Sequence, residues 1–118
     1  MEKLKKIICF DLDGVICTTS KKNYFSAKPK IEAINTINFL YEKGYYIKIF
    51  TARFMGRNKE NINKAKKQGY LKTLKQLNSW NLKFHKLIFG KASYDLFIDD
   101  KSIFFKKNWH KHIAKFLK

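Results

Sequence analysis

The chain has 118 residues and a formal net charge of +17, with 45% hydrophobic and 16% aromatic residues beside 30% charged ones. That length holds one small domain, residues 1–118, around one core; it excludes a two-domain enzyme, and the apolar content excludes general disorder. The early apolar run Ile7 to Phe10, behind Lys3, Lys5 and Lys6, stops at Asp11, too short for a signal peptide or a membrane span. A cytoplasmic protein with no membrane partner is expected. Cys9 and Cys17 have neither zinc-ligand spacing nor a multi-disulfide framework and read as reduced thiols.

Taken in order, Lys6 to Phe10 is a short β-branched and aromatic run ending in Asp11-Leu12-Asp13-Gly14, a buried strand that delivers two carboxylates at its C-terminal end. Residues 15 to 28 are polar and turn-like after Val15 and Ile16. Ile31, Ile34, Ile37, Leu40 and Tyr41 then recur at helical spacing up to Lys43-Gly44, predicting a helix over about 30 to 43. Tyr45 to Phe50 is a second strand, ending in Thr51-Ala52-Arg53, so strand, helix and strand form a parallel crossover. From Phe54 to Gln68 the chain is almost wholly polar and reads as a mobile loop or weak helix, before Leu71, Leu74, Leu77 and Trp80 mark a better helical stripe. A third strand is predicted at about Lys86 to Phe89, Gly90 turns the chain, and a fourth strand at Leu96 to Ile98 runs into Asp99-Asp100. The tail from Lys101 alternates aromatics with lysines and holds no acid. The expected architecture is α/β and Rossmann-like: a three-layer sandwich with a mostly parallel central sheet and a site at the carboxyl ends of its strands.

The charge invites a nucleic-acid reading, since lysines that neutralise phosphates gain affinity by counterion release. Arg53 and Arg57 are the only arginines, however, and Ile, Lys and Asn make up 46 of 118 residues, a bias that an AT-rich genome would give. A solvated lysine surface is therefore preferred, with nucleic acid as the lesser partner. The acids say more by their scarcity: all five aspartates, Asp11, Asp13, Asp95, Asp99 and Asp100, fall in two short segments. In a parallel sheet the strand ends Asp11/Asp13, Thr51 and Asp99/Asp100 converge on one crevice. Clustered carboxylates repel, and Mg²⁺, a hard cation that keeps positions for water and a phosphate oxygen, is the expected compensation. The expected substrate is a phosphate ester.

Four motifs in this order, Phe10-Asp11-Leu12-Asp13-Gly14-Val15, Thr51, a downstream lysine and Ile98-Asp99-Asp100, resemble those of the haloacid dehalogenase superfamily of phosphotransferases over nearly the whole chain. Thr51-Ala52-Arg53-Phe54-Met55-Gly56, Gln76-Leu77 with Trp80, and Leu87-Ile88-Phe89-Gly90-Lys91 are similar to small members found with bacterial polysaccharide biosynthesis genes, although Ala92 stands where that group usually has proline. The resemblance implies Asp11 as nucleophile forming an aspartyl phosphate, and Asp13 as general acid and base. It further implies that Thr51, Ala52 and a lysine bind the phosphoryl group, and that Asp11, Asp13 through its backbone carbonyl, and Asp99 hold Mg²⁺, with Asp100 as a ligand or the anchor of a metal-bound water. Lys91 is preferred to Lys86 as that lysine, because it follows Gly90 just past the third strand's end, while Lys86 begins the strand at its remote edge.

Arg53 is either a substrate contact or an exposed loop arginine; Asp95 reads as structural; His85, His110 and His112 read as surface or core-edge residues. Phe104, Phe105 and Trp109 are expected to pack on the sheet rather than stack bases. The stretches 15–28 and after Thr51 are too short for a cap domain, so the site is open, and a mobile loop or a second subunit in an oligomer would close it. The expected function is a Mg²⁺-dependent phosphomonoesterase acting on a phosphorylated small molecule, such as a sugar phosphate or glycan precursor. The alternatives are a nucleotidase or polynucleotide phosphatase, and a basic binding module with a non-catalytic site.

Overall fold

The structure, a computed structural model, describes residues 6–21 and 23–117. Lys3 and Lys5 ahead of the first strand, and Lys118 at the end of the basic tail, lie outside the described residues. In chain order the regular elements are β1 (Ile7–Asp11), a small antiparallel pair β2 (Cys17–Thr18) and β3 (Lys28–Pro29), α1 (Ile31–Glu42), β4 (Tyr46–Thr51), α2 (Ile62–Ser79) and β5 (Lys86–Phe89). The strands β1, β4 and β5 form a parallel sheet in that order, with Phe10 beside Ile49 and Ile49 beside Leu87. This is the small Rossmann-like α/β fold that the sequence predicts, with helices connecting parallel strands.

Alternation along the strands gives the sheet two unlike faces. Phe10, Ile47, Ile49, Leu87 and Phe89 are buried on one, where Trp109 packs on Phe10 and Tyr70 of α2 on Phe89. On the other, Tyr46, Lys48, Phe50 and Ile88 are half-buried and Cys9 is exposed. Helix α1 buries Ala33, Ile34, Ile37 and Leu40, as its spacing predicts, and stops where Gly44 takes a φ of +97°, a turn that a side chain would resist. His85 is stacked between Tyr41 and Tyr46 and its Nδ1 accepts the Ile47 N–H, a core-edge role; His110 pairs with Glu32.

Two segments differ from expectation. Of the polar run Phe54 to Gln68, read as a mobile loop or weak helix, the part from Ile62 is the first half of one long helix, α2, started by Asn61, whose side chain accepts the Lys64 N–H. Its buried face is Ala65, Gly69, Thr73 and Leu77, four residues apart, while Leu71 is 69% exposed. Three of those four are small or polar, so the stripe is invisible to a search for large apolar residues. Gly69 marks a close approach: a Cβ built there would stand 2.2 and 2.5 Å from ring carbons of Phe54. Alanine normally gains ~0.5–1 kcal/mol over glycine inside a helix, but here overpacking wins, at ~1–3 kcal/mol. Gly69→Ala is therefore expected to lower the urea midpoint; a raised midpoint would contradict this packing.

The second difference is the fourth strand. Leu96 to Ile98 forms no strand in the structure, and these three residues are 79%, 51% and 88% exposed. Their composition suits a strand, but they find no ladder, and the apolar run gains no burial. In the tail, Trp109 and Ile113 are buried and the Trp109 indole donates to the Val15 carbonyl, whereas Phe104 is 89% exposed and does not pack on the sheet. No helix among the described residues is long and apolar enough to cross a membrane.

Candidate active site

The strand ends meet as the parallel topology requires. Asp11 closes β1, Thr51 closes β4, and Lys91 lies two residues past β5, fastened by its N–H to the Thr51 carbonyl at 3.2 Å. The Lys91 Nζ stands 3.4 Å from Asp11 Oδ1, while Lys86 is exposed at the start of β5. The preference for Lys91 thus has a geometric basis. Thr51 is fully buried and its hydroxyl accepts the Arg53 N–H at 3.1 Å, which leaves its own proton free to be donated. Ala52 follows it, half-buried.

Beyond Asp11 the chain turns tightly: Gly14, at φ +90°, donates to the Cys17 carbonyl, and the Ile16 N–H reaches back to Leu12. The turn aims Asp13 at Arg53. Arg53 is neither exposed nor free for a substrate, because its side chain is wholly buried and its Nε and Nη2 donate to Asp13 Oδ2 and Oδ1, each at 2.9 Å. The rest of the guanidinium is held by Gln76 Oε1 at 2.6 Å, Thr73 Oγ1 at 3.4 Å and the Tyr24 carbonyl at 3.5 Å. Thr19 donates to the same Asp13 Oδ1. Read from the sequence, Thr19, Thr73 and Gln76 have no site role; the signals that point to them are the place of Gln76 in the family resemblance and the spacing of Thr73 and Gln76, three apart on the inner face of a helix.

Burial raises the Asp11 carboxyl above its ordinary value, and Lys91 and the Leu12 N–H offset this only in part. Partial burial works against the charged Lys91 ammonium, but Tyr94 and Asp11 outweigh it and the net shift is upward. Burial, with the Asp13 charge nearby, pushes the Cys17 thiol up to about 11, so it is an inert structural group that touches Asp13 at 3.5 Å.

Asp99 and Asp100 are not brought to this crevice by a strand. Both are exposed, and Asp99 Oδ1 accepts the Lys101 N–H at 2.9 Å in a local turn. Among the described residues no three His, Cys, Asp or Glu side chains come together as a metal site. The side chains of Asp11 and Asp13 face Lys91 and Arg53, which leaves the Asp13 backbone carbonyl, and not its carboxylate, as the group that the resemblance assigns to Mg²⁺. Asp95 is exposed in the same loop. A groove between α1 and the C-terminal turns, about 540 Å³, contains none of the predicted site residues.

No family model matches the chain, and no curated protein matches it either. Among solved structures it is similar to the crystal structure of an MCSG target from Vibrio cholerae, at 21% identity and a TM-score of 0.82, with 95% of each chain covered. It is also similar to a chain of the Pnkp1/Rnl/Hen1 complex, at 14% identity and a TM-score of 0.53, and to a second structure described as the Pnkp1/Rnl/Hen1 RNA repair complex, at 14% and 0.52. In these two the match takes 95% of this chain but only 34% and 32% of the other. At such identities the likeness establishes a shared fold.

Proposed function

We infer that this protein hydrolyses phosphate monoesters through an aspartyl phosphate on Asp11, in the manner of the haloacid dehalogenase phosphatases it resembles. The observation that carries the reading is the Asp11–Lys91 pair at the carboxyl end of the sheet, 3.4 Å apart, next to the end of β4 at Thr51. An Asp11 oxygen attacks phosphorus, the bond from phosphorus to the leaving alcohol breaks, and Lys91 and the Thr51 hydroxyl take up charge on the phosphoryl oxygens. Asp13, carrying a proton on its free Oδ2 lone pair for this step, gives it to the departing alkoxide, then as the carboxylate clamped by Arg53 takes one from the water that attacks phosphorus and frees Asp11. Arg53 and Thr19 leave Asp13 an unused lone pair on Oδ2, so the clamp fixes the group without blocking that transfer.

The experiment is a comparison of Lys91→Ala with Lys86→Ala in steady-state kinetics on the best substrate from a panel of sugar phosphates, nucleotides and phosphorylated oligonucleotides. Lys91→Ala is expected to lose ~10²-fold or more in kcat and Lys86→Ala little; the reverse ranking would overturn the assignment.

Mg²⁺ is part of this proposal, although no step above runs through it. Asp11 and Asp99 would together hold the ion, with the Asp13 backbone carbonyl, and it would supply positive charge beside the phosphoryl oxygens. Mg²⁺ is then expected to slow tryptic cleavage after Lys101 and to do so less in Asp99→Ala; cleavage rates indifferent to Mg²⁺ would refute that ligand pair. For the substrate, a sugar phosphate or glycan precursor is the first reading of the sequence. A nucleotide or polynucleotide end is the second, supported by the likeness to chains of the RNA repair complex and by the net charge of +17.

A further inference from the structure

Two groups of aromatic side chains flank the site, each one cation away from a carboxylate of the proposed mechanism. On the Asp11 side, the rings of Tyr94 and Phe97 lie 4.9 Å apart and are 45% and 51% exposed. The Lys91 Nζ that pairs with Asp11 stands 5.3 Å from one centroid and 5.6 Å from the other. Their loop is tied to Glu60, which accepts the Ser93 N–H at 2.8 Å. On the Asp13 side, Arg53 lies 5.0 Å from the Tyr24 ring and 5.8 Å from the Phe25 ring. There Arg57 covers Phe54 at 4.6 Å, Lys72 sits over Phe25 at 5.8 Å, and Phe25 is 43% exposed.

Aromatic rings normally bury most of their surface, and a half-exposed pair beside the nucleophile's lysine gains little for folding. The lysine-rich composition sharpens the point. Of the two arginines of the chain, Arg53 lies over Tyr24 and Phe25 but is taken up by Asp13, while the exposed Arg57 covers Tyr24 and Phe54, which sets one guanidinium, the group best suited to stacking and to phosphate, on these rings. Cations alternating with π-faces match a strand in which phosphates alternate with bases.

We propose that Tyr94 and Phe97 form a base-stacking subsite, and that the substrate is the phosphorylated end of a single-stranded nucleic acid, whose next nucleotide runs toward Phe25, Arg57 and Lys72. This rests on the phosphomonoesterase reading for the position of the terminal phosphate at Asp11 and Lys91. The strand's own phosphodiesters complement the charge of +17.

The test is equilibrium binding by fluorescence anisotropy to Asp11→Asn protein, which needs no turnover. The probe is a labelled hexanucleotide with a terminal phosphate, competed by the same strand without that phosphate, by a nucleoside monophosphate and by glucose 6-phosphate. The phosphorylated strand is expected to bind at least tenfold tighter than every competitor. Tyr94→Leu and Phe97→Leu should each weaken it roughly tenfold, and Phe25→Leu should weaken the strand but not the monophosphate. Both rings of the subsite are exposed, and unchanged melting curves certify the folds. Leucine variants that bind as tightly as the parent would overturn the subsite. Equal competition by glucose 6-phosphate would return the substrate to the small molecules, and equal binding of the unphosphorylated strand would reduce the contact to charge. If wild-type protein releases phosphate from monoesters while Tyr94→Leu changes nothing, the reaction stands and the subsite falls. Retained base-dependent binding with no phosphate release from any substrate would instead sink the reaction.

Discussion

Arg53→Ala is expected to lower the melting temperature by about 10 °C. The Arg53 side chain is fully buried and the Asp13 side chain 26% exposed, so truncation strands a largely desolvated carboxylate and leaves Gln76 and Thr73 facing a void. Removing one partner of a buried ion pair costs ~3–5 kcal/mol; the partial exposure of Asp13 argues for the lower end, ~3 kcal/mol, and each kcal/mol moves the midpoint of a domain this size by roughly 3–5 °C. Arg53→Lys should recover only part of the loss, because an ammonium cannot reproduce the two parallel bonds. Thermal unfolding followed by circular dichroism reads all of this, with Asp13→Asn and the double variant completing the cycle. A loss of under 2 °C in Arg53→Ala would mean that the clamp holds nothing together.

Asp11→Asn is expected to lose at least ~10³-fold in turnover while raising the melting temperature at neutral pH. The two effects have one origin. The folded-state pKa of Asp11 is raised, chiefly by burial, so the folded protein binds that proton more tightly than the unfolded chain does. The stability this contributes is complete below the unfolded value and is lost as pH rises through the folded one, so at neutral pH the charged carboxylate is a net cost. The amide removes that cost, and the gain over wild type should shrink toward acid pH. Melting curves at several pH values check the sign: a variant less stable than wild type at pH 7 would show that the Lys91 pairing outweighs desolvation.

What could be read from the sequence is what depends on large apolar residues at regular spacing. The strands β1, β4 and β5 and helix α1 are such cases, and because strand ends converge in a parallel sheet, the meeting of Asp11 and Thr51 follows from them, whereas Lys91 needs the family resemblance as well as its place just past β5. The first half of α2 was hidden because its inner stripe begins Ala65, Gly69 and Thr73, small residues that bury closely without adding hydrophobicity. Leu96 to Ile98 failed in the opposite way: its residues suit a strand, but strand formation depends on a partner that composition does not reveal. Arg53 was misjudged because a charge beside a predicted loop reads as solvated. Its burial depends on Gln76, Thr73 and the Tyr24 carbonyl, more than 19 positions away on either side.

The central claim is that Asp11 takes the phosphoryl group, and the most direct measurement is acid quenching of wild-type protein during turnover of its best substrate, followed by mass spectrometry of the peptide from Ile7 to Lys21. One phosphoryl group on that peptide at Asp11, absent from Asp11→Asn and absent without substrate, is the predicted result. Phosphate release that proceeds with that peptide never modified, or a phosphoryl group found on another residue, would contradict it.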